Sequence, residues 1–453
     1  MSVISDFIGR SARENVELAL ARARENEEFN ALLSYIDERA LQQADKVDSG
    51  EITGRLAGVP FIAKDNFLTL GSSTTAASSI LKGFEAPLQA TAIEKLEAEG
   101  AICIAKANLD AFAHGGSTEN SAFGPTKNAF DDERVAGGSS GGSAVAVALD
   151  IVPFALGTDT GGSIRQPASF NNVVGVKPTY GTVSRYGVVA MASSTDTIGV
   201  LSRSIEDAET VMDILSGQDT KDMTTLPDFF TPQVIDAPKK IGVIKEFMEE
   251  GVDPEVKAAT EQYIEALTQK GHEVEEVSMS LLKYALAIYY IVVPAEISSN
   301  LGRYDGVRYG NRAEADSLGE VYGLSRDQGF MPENKRRIMI GSYVLSSGFF
   351  DAYYLQAQKA RTLLVNEFNK LFETYDALIG PVAPTPAFKL GENTSDPVKM
   401  YLADIMTVPA SLAGLPAISV PAAMSQAGLP IGVQLIGARQ SDSLLLALAK
   451  DVE

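Results

Sequence analysis

The spacing of apolar and polar positions divides the chain into helices and strands before any chemistry is considered. Residues 5–47, rich in Ala, Leu, Glu and Arg, read as amphipathic helices broken at Glu25–Asn30. From Leu56 the pattern becomes strand, turn, helix. Thr91 with Glu94 fits a capping box, opening a helix that runs to Glu99 and stops at Gly100, with the strand AICIAKA next. Ser143–Leu149 reads as helix and Val152–Gly157 as a buried strand. Asp253-Pro254 supplies an N-cap with Pro at the first helical position; that helix runs to Gly271 and the strand HEVEEVSM follows. Two long helical stretches occupy Glu333 to Tyr375, with Gly348 as the joint, and Ala417–Pro421 pairs with Pro430–Gly437 around the turn SQAGLP. Such alternation predicts an α/β fold with a mixed, mostly parallel central sheet covered by helices on both faces. Without a repeat, a low-complexity tract or a linker, residues 1–453 are expected to form one unit, with 1–50 a helical segment packed on it.

Composition narrows the function. The 453 residues are 45% apolar and 21% charged, with a formal charge of -21. So acidic a surface repels phosphate, which argues against direct capture of nucleic acid by this chain. Cys103 is the only cysteine, so no internal disulfide can form, and its apolar neighbours suit a buried structural thiol. The N-terminus lacks the basic flank and apolar core of a signal peptide. The most apolar stretch, YALAIYYIVVP (284–294), is too short to span a bilayer and is expected to end at Pro294. A cytoplasmic protein with no membrane contact is the expectation.

The chemistry concentrates in two glycine-serine runs, GGSSGGS (137–143) and GTDTGGS (157–163), and in Lys64 within IAKDN. Glycine lets the backbone approach closely and expose its amides, and the helix that each run opens adds a positive end, which suits a developing oxyanion. A phosphate-binding loop would need Gly-Lys-Ser/Thr, which neither run has. GGSSG does match the nucleophile elbow around Ser139, but that fold needs a late histidine. His114 precedes the loop, and His272 lies in a charged helix-to-strand turn. Flexible surface loops without chemistry are the plain alternative; the pairing of two such loops with a lysine in an apolar setting argues against it. Lys64 follows VPFIA, a buried strand, and burial favours the neutral amine that a serine needs as its base.

The run RVAGGSSGGSAVAVALDIVPFALGTDTGGSIRQPASFNNVVGVKPTYGTVSRYG (134–187) resembles the amidase signature. The resemblance implies a Ser–cis-Ser–Lys triad: Ser163 as nucleophile, Ser139 after a cis peptide as the bridge, and Lys64 as the terminal base. It also implies an oxyanion hole at the amides of Thr160, Gly161, Gly162 and Ser163. Further segments, among them NLDAFAHGGSTENSAFGPTKN (108–128), KRRIMIGSYVLSSGFFDAYY (335–354) and TVPASLAGLPAISVP (407–421), are similar to the A subunits of tRNA-dependent amidotransferases. That likeness implies a glutaminase that hydrolyses free glutamine and hands ammonia on for conversion of Glu-tRNA(Gln) or Asp-tRNA(Asn). It implies Arg337 for the substrate carboxylate, Asp404 for its amine, and Tyr289 or Tyr290 nearby. It implies no metal or cofactor in this chain. The implied partners are a B subunit that carries ATP, Mg²⁺ and the tRNA, and a small C subunit, together a heterotrimer. A stand-alone amidase for small amides and a catalytically silent scaffold are the competing readings. Ala111, His114 and Gly116 stand where the family commonly has Glu, Met and Ser, and Asn171 and Asn172 also depart from its pattern.

Overall fold

The computed structural model describes residues 3–249 and 251–453. Among these, eleven strands share one sheet in the order β1-β3-β2-β4-β6-β5-β10-β11-β9-β7-β8. They are β1 (Leu32–Tyr35), β2 (Pro60–Lys64), β3 (Ile102–Ala107), β4 (Phe154–Asp159), β5 (Val174–Lys177) and β6 (Thr197–Ser202). The remainder are β7 (Lys240–Ile244), β8 (Glu273–Val277), β9 (Ala377–Pro381), β10 (Ala417–Met424) and β11 (Pro430–Gly437). The sheet is mixed, as expected, but not mostly parallel: six of the ten strand pairings are antiparallel. Parallel pairs occur at two places, β3-β2-β4 and β9-β7-β8, where helices join the strands. Between them lie β6, β5, β10 and β11, every pair antiparallel, and strand–helix alternation did not reveal how those strands neighbour each other.

Helices cover both faces. Along β2, Phe61 and Ala63 pack into one apolar cluster and Ile62 into another, and Phe154, Leu156 and Ala155 of β4 divide the same way. That two-residue period is what a strand buried on both sides requires. The N-terminal helices α1 (Ala12–Glu25) and α2 (Asp37–Asp48) pack on the Ile62 side. The expected break at Glu25–Asn30 holds a short helical turn, Glu27–Phe29, and β1 follows it in a stretch expected to be helical, a strand too short to announce itself by alternation. Helix α3 (Thr91–Ala98) has Ala90 as its N-cap, so the capping box does not form; Thr91 Oγ1 instead donates to Asp219 Oδ2 at 2.8 Å. Helix α4 (Gly141–Ala148) and the short α5 (Arg165–Phe170) follow the two glycine-serine runs. After α6 (Ile205–Leu215), α7 (Pro254–Gln269) starts as expected, with Asp253 Oδ1 accepting from the Glu255 amide at 2.8 Å.

The largest departure is α8 (Ala285–Asn300), which runs straight through Pro294. With flanking turns it forms a 22-residue stretch, Leu282–Arg303, long and apolar enough by length and composition to cross a membrane. Here it is a core helix: Ile288, Val292, Val293 and Ile297 lie in a buried cluster with Leu364, Leu378 and Met406 from elsewhere in the chain. Beyond α9 (Leu318–Gly329), helix α10 (Pro332–Val344) crosses α8 so closely that a Cβ on Gly341 would lie 1.9 Å from the Pro294 carbonyl oxygen. Gly348 then turns the chain at φ +85 into a π-turn and α11 (Leu355–Leu371). In an open helix, Gly→Ala stabilises by roughly 0.5–1 kcal/mol. Gly341→Ala should do the reverse, costing more than about 1 kcal/mol in denaturant unfolding because a carbonyl cannot give way as a side chain tip can.

Candidate active site

Lys64 ends β2 fully buried on the side that α4 covers. Its Nζ lies 2.8 Å from Ser139 Oγ, 2.9 Å from Ser140 Oγ and 2.9 Å from Thr158 Oγ1. No carboxylate pairs with it among the described residues. The neighbouring strand supplies a contrast: Lys106, equally buried, is paired with Asp65 at 2.9 Å. Burial without a counter-ion pulls the Lys64 amine down to about 7, while the more distant Asp110, Asp159 and Asp196 pull weakly the other way. A neutral amine among hydroxyls can accept a proton, which an ammonium cannot.

The two glycine-serine runs meet here. Gly138–Ser139 is a cis peptide, and Ser139 is fully buried. Gln166 bridges the site: its Oε1 accepts from the Gly138 amide at 2.8 Å and its Nε2 donates to the Gly116 carbonyl at 2.8 Å. The Ser140 amide donates to the Ser163 carbonyl at 3.1 Å, which ties the second run to the first. Of the expected triad, the side chains of Lys64 and Ser139 are hydrogen-bonded to each other. The Ser163 hydroxyl makes no hydrogen bond to Ser139 among the described residues, and its loop is joined to theirs through the backbone.

Loop 157–163 owes its shape to Asp159 and Arg165, a fully buried pair at 3.1 Å that sequence reasoning passed over. Burial pushes the Asp159 carboxyl up, and the Arg165 charge with its hydrogen bonds more than reverses this. Asp159 also accepts from the amides of Gly162 at 2.8 Å and Ile164 at 3.2 Å. Arg165 continues to Gln434 Oε1 at 3.0 Å, the Thr407 carbonyl at 2.9 Å and Ser411 Oγ at 2.9 Å. Gly162 is obligatory: its φ is +141, and a Cβ would meet Thr407 Oγ1 at 2.2 Å. Since Asp159 already takes the Gly162 amide, the sequence-derived group of four shrinks. Thr160, Gly161 and Ser163 keep amides with no partner among the described residues. The six-residue α5 adds little dipole, so these amides carry the positive potential.

The remaining expected residues gather beside Gly161. The ring of Tyr289 packs on that glycine, where a Cβ would lie 2.8 Å from Tyr289 Cζ. Tyr290 stacks on Tyr401 with centroids 3.8 Å apart, and the Arg337 guanidinium lies 5.3 Å and 5.7 Å from the two ring centres. Arg337 is buried; its Nε pairs with Glu333 Oε1 at 2.8 Å, and Tyr401 Oη donates to the same oxygen at 2.9 Å. Its two Nη groups have no hydrogen bond among the described residues. Asp404 Oδ1 is buried without a hydrogen-bond partner among the described residues, and burial pushes its carboxyl up to about 8 against the pull of Arg337. A cavity of about 270 Å³ adjoins, lined by Arg337, Tyr401, Gly116 and His114 among others. Tyr401 and Glu333 carried no sequence signal, because what singles them out is their meeting across 68 residues.

The other titratable candidates stand apart. His272 accepts from the Lys239 amide at 3.0 Å and faces Asp451, with no hydrogen bond to a serine among the described residues. The Cys103 thiol is buried and pushed up to about 12, which fits its structural assignment. Asn171 is buried and bonded to the Ala136 and Pro167 carbonyls, whereas Asn172 is exposed at φ +55.

Comparison with known proteins agrees with this geometry. The amidase family model matches residues 14–446. The chain is 50% identical to the A subunit of the glutamyl-tRNA(Gln) amidotransferase of Koribacter versatilis, over 95% of this chain and 92% of that protein. It is 49% identical to the corresponding protein of that name from a Cyanothece species, over 97% and 94%. The crystal structure of the Thermotoga maritima counterpart superposes with a TM-score of 0.84 at 40% identity, covering 100% of this chain and 94% of that one. The chain belongs to the amidase family.

Proposed function

We propose that this chain is the glutamine-hydrolysing subunit of a tRNA-dependent amidotransferase. One observation carries the reading: next to the lysine–serine centre, a buried guanidinium and a buried carboxyl both keep unused hydrogen-bonding capacity. Free glutamine needs both, a cation for its α-carboxylate and an anion for its α-ammonium. The planar fork of Arg337 suits the carboxylate, and Asp404 the ammonium. Tyr289 is fixed against Gly161, and Tyr290 lies under the guanidinium.

The steps follow from the residues. Glutamine binds, the Ser163 hydroxyl swings to Ser139, and its proton passes through Ser139 to neutral Lys64 as Oγ attacks the side-chain amide carbon. The oxyanion is received by the amides of Thr160, Gly161 and Ser163. The relay returns the proton to the leaving nitrogen, ammonia departs, and water, deprotonated by the same relay, releases glutamate from the acyl-serine. Ammonia then passes to a B subunit, which uses ATP and Mg²⁺ to activate the glutamate of Glu-tRNA(Gln) or the aspartate of Asp-tRNA(Asn), with a small C subunit completing the complex. The charge of -21 is in keeping with leaving the tRNA to that partner.

In the complex, Ser163→Ala should lower glutamine-dependent ammonia release by roughly 10³-fold or more, while ammonium salts still support amidation of the tRNA-bound residue. Unchanged ammonia output would instead make the chain a scaffold. Acidity should act twice. Lys64 must be neutral to accept a proton, and Asp404 must be ionised to hold an ammonium. With Lys64 lowered to about 7 and Asp404 raised to about 8, log kcat/KM should climb with a slope of about two below pH 7 and about one between pH 7 and 8. Asp404→Asn should abolish the upper step and raise KM, which a pH series on both forms measures.

A further inference from the structure

His114 takes no part in the steps above, yet it is fully buried and lines the same cavity as Arg337. The position of its proton follows from Asn334. The Asn334 Oδ1 accepts from the Met331 amide at 3.2 Å, and its Nδ2 donates to the Ala111 carbonyl at 2.8 Å, so the orientation of the amide is set from both ends. That same Nδ2 faces His114 Nδ1, which must therefore be an acceptor. Desolvation, reinforced by the Arg337 charge, holds the ring neutral, with its pKa well below the usual value. In a neutral imidazole whose Nδ1 accepts, Nε2 carries the hydrogen. His114 Nε2 is buried and has no hydrogen-bond partner among the described residues. Buried N–H groups nearly always have one, so an orphan beside a binding cavity points to a ligand atom. Asn334 also precedes Arg337 by one turn on α10, which places the anchor of the imidazole and the guanidinium on one helical face.

We propose that the His114 Nε2–H is a second donor to the α-carboxylate received by Arg337, so that His114 is a specificity-determining residue for a free amino-acid carboxylate. The assignment rests on the glutamine reading of this pocket. Two Nη groups satisfy two of the roughly four lone-pair directions of a carboxylate, which leaves room for another donor. A neutral N–H supplies it without placing a second full charge beside the guanidinium. A substrate with a carboxamide in place of the carboxylate would accept less strongly and could turn an NH₂ toward this N–H.

The test is steady-state kinetics of the assembled complex with L-glutamine and with its α-amide, comparing wild type, His114→Met and His114→Gln. Methionine removes the donor but leaves Asn334 its bond to Ala111; glutamine keeps an N–H at similar reach. The Met variant should raise KM for glutamine about 10- to 100-fold, as loss of a hydrogen bond to a charged acceptor does, with kcat within about threefold. Its preference for glutamine over the α-amide should fall by a similar factor, and the Gln variant should recover most of both. A wild-type KM in the Met variant, an equal loss on the two substrates, or a Gln variant as impaired as Met would each overturn the proposal while leaving glutamine hydrolysis intact. A wild-type complex that hydrolyses no glutamine would overturn the underlying reading, and this inference with it.

Discussion

The protein's chemistry turns on a lysine that is denied a counter-ion. Lys64 sits at the end of a strand buried on both faces, surrounded by three hydroxyls and, among the described residues, by no paired carboxylate. On the adjacent strand Lys106 is just as buried but is ion-paired with Asp65. The difference between a structural and a reactive lysine is thus made by the partner, not by the depth. Desolvation disfavours the ammonium, the hydroxyls cannot compensate as a carboxylate would, and a base becomes available near neutral pH.

That arrangement holds only because the surrounding loops are tightly fixed. Gln166 ties the cis-serine loop to Gly116, and the Asp159–Arg165 pair ties the nucleophile loop to Thr407, Ser411 and Gln434. A buried ion pair repays its desolvation only when its remaining valences are filled, and here they are, by two backbone amides, a carbonyl and two polar side chains. The consequence is a loop whose amides of Thr160, Gly161 and Ser163 are left over for an oxyanion. Preorganised donors of this kind need no rearrangement as charge develops. The pocket is built on the same plan at longer range. The crossing of α8 and α10, made possible by Gly341 against Pro294, sets Tyr289 and Tyr290 opposite Arg337.

Much of this was legible in the sequence, and what was missed has a physical pattern. Lys64 was readable because VPFIA is a continuous apolar run, and the glycine-serine runs because glycine in that density serves backbone geometry. The Asp253-Pro254 helix start was readable because N-caps are local. Asp159 and Arg165 flank the glycines of the second run six residues apart, and their pairing could have been suspected from two opposite charges in an apolar setting. Tyr401 with Glu333, or Thr158 with Lys64, could not, since such contacts join distant segments and leave no period. The antiparallel centre of the sheet escaped for that reason too. Pro294 misled because a missing N–H ends a helix in water, whereas α8 is held by packing with neighbours on several sides.

The mechanism stands on the charge of one amine. Selective ¹³Cε labelling of lysine, with the Lys64 signal assigned by its disappearance in Lys64→Met, would follow that amine directly through pH in the intact protein. The expected result is a titration midpoint near 7, far below that of an exposed lysine. A midpoint near that of an exposed lysine, ~10.4, would mean that the amine is charged at working pH, and Lys64 could then not be the base that activates Ser163.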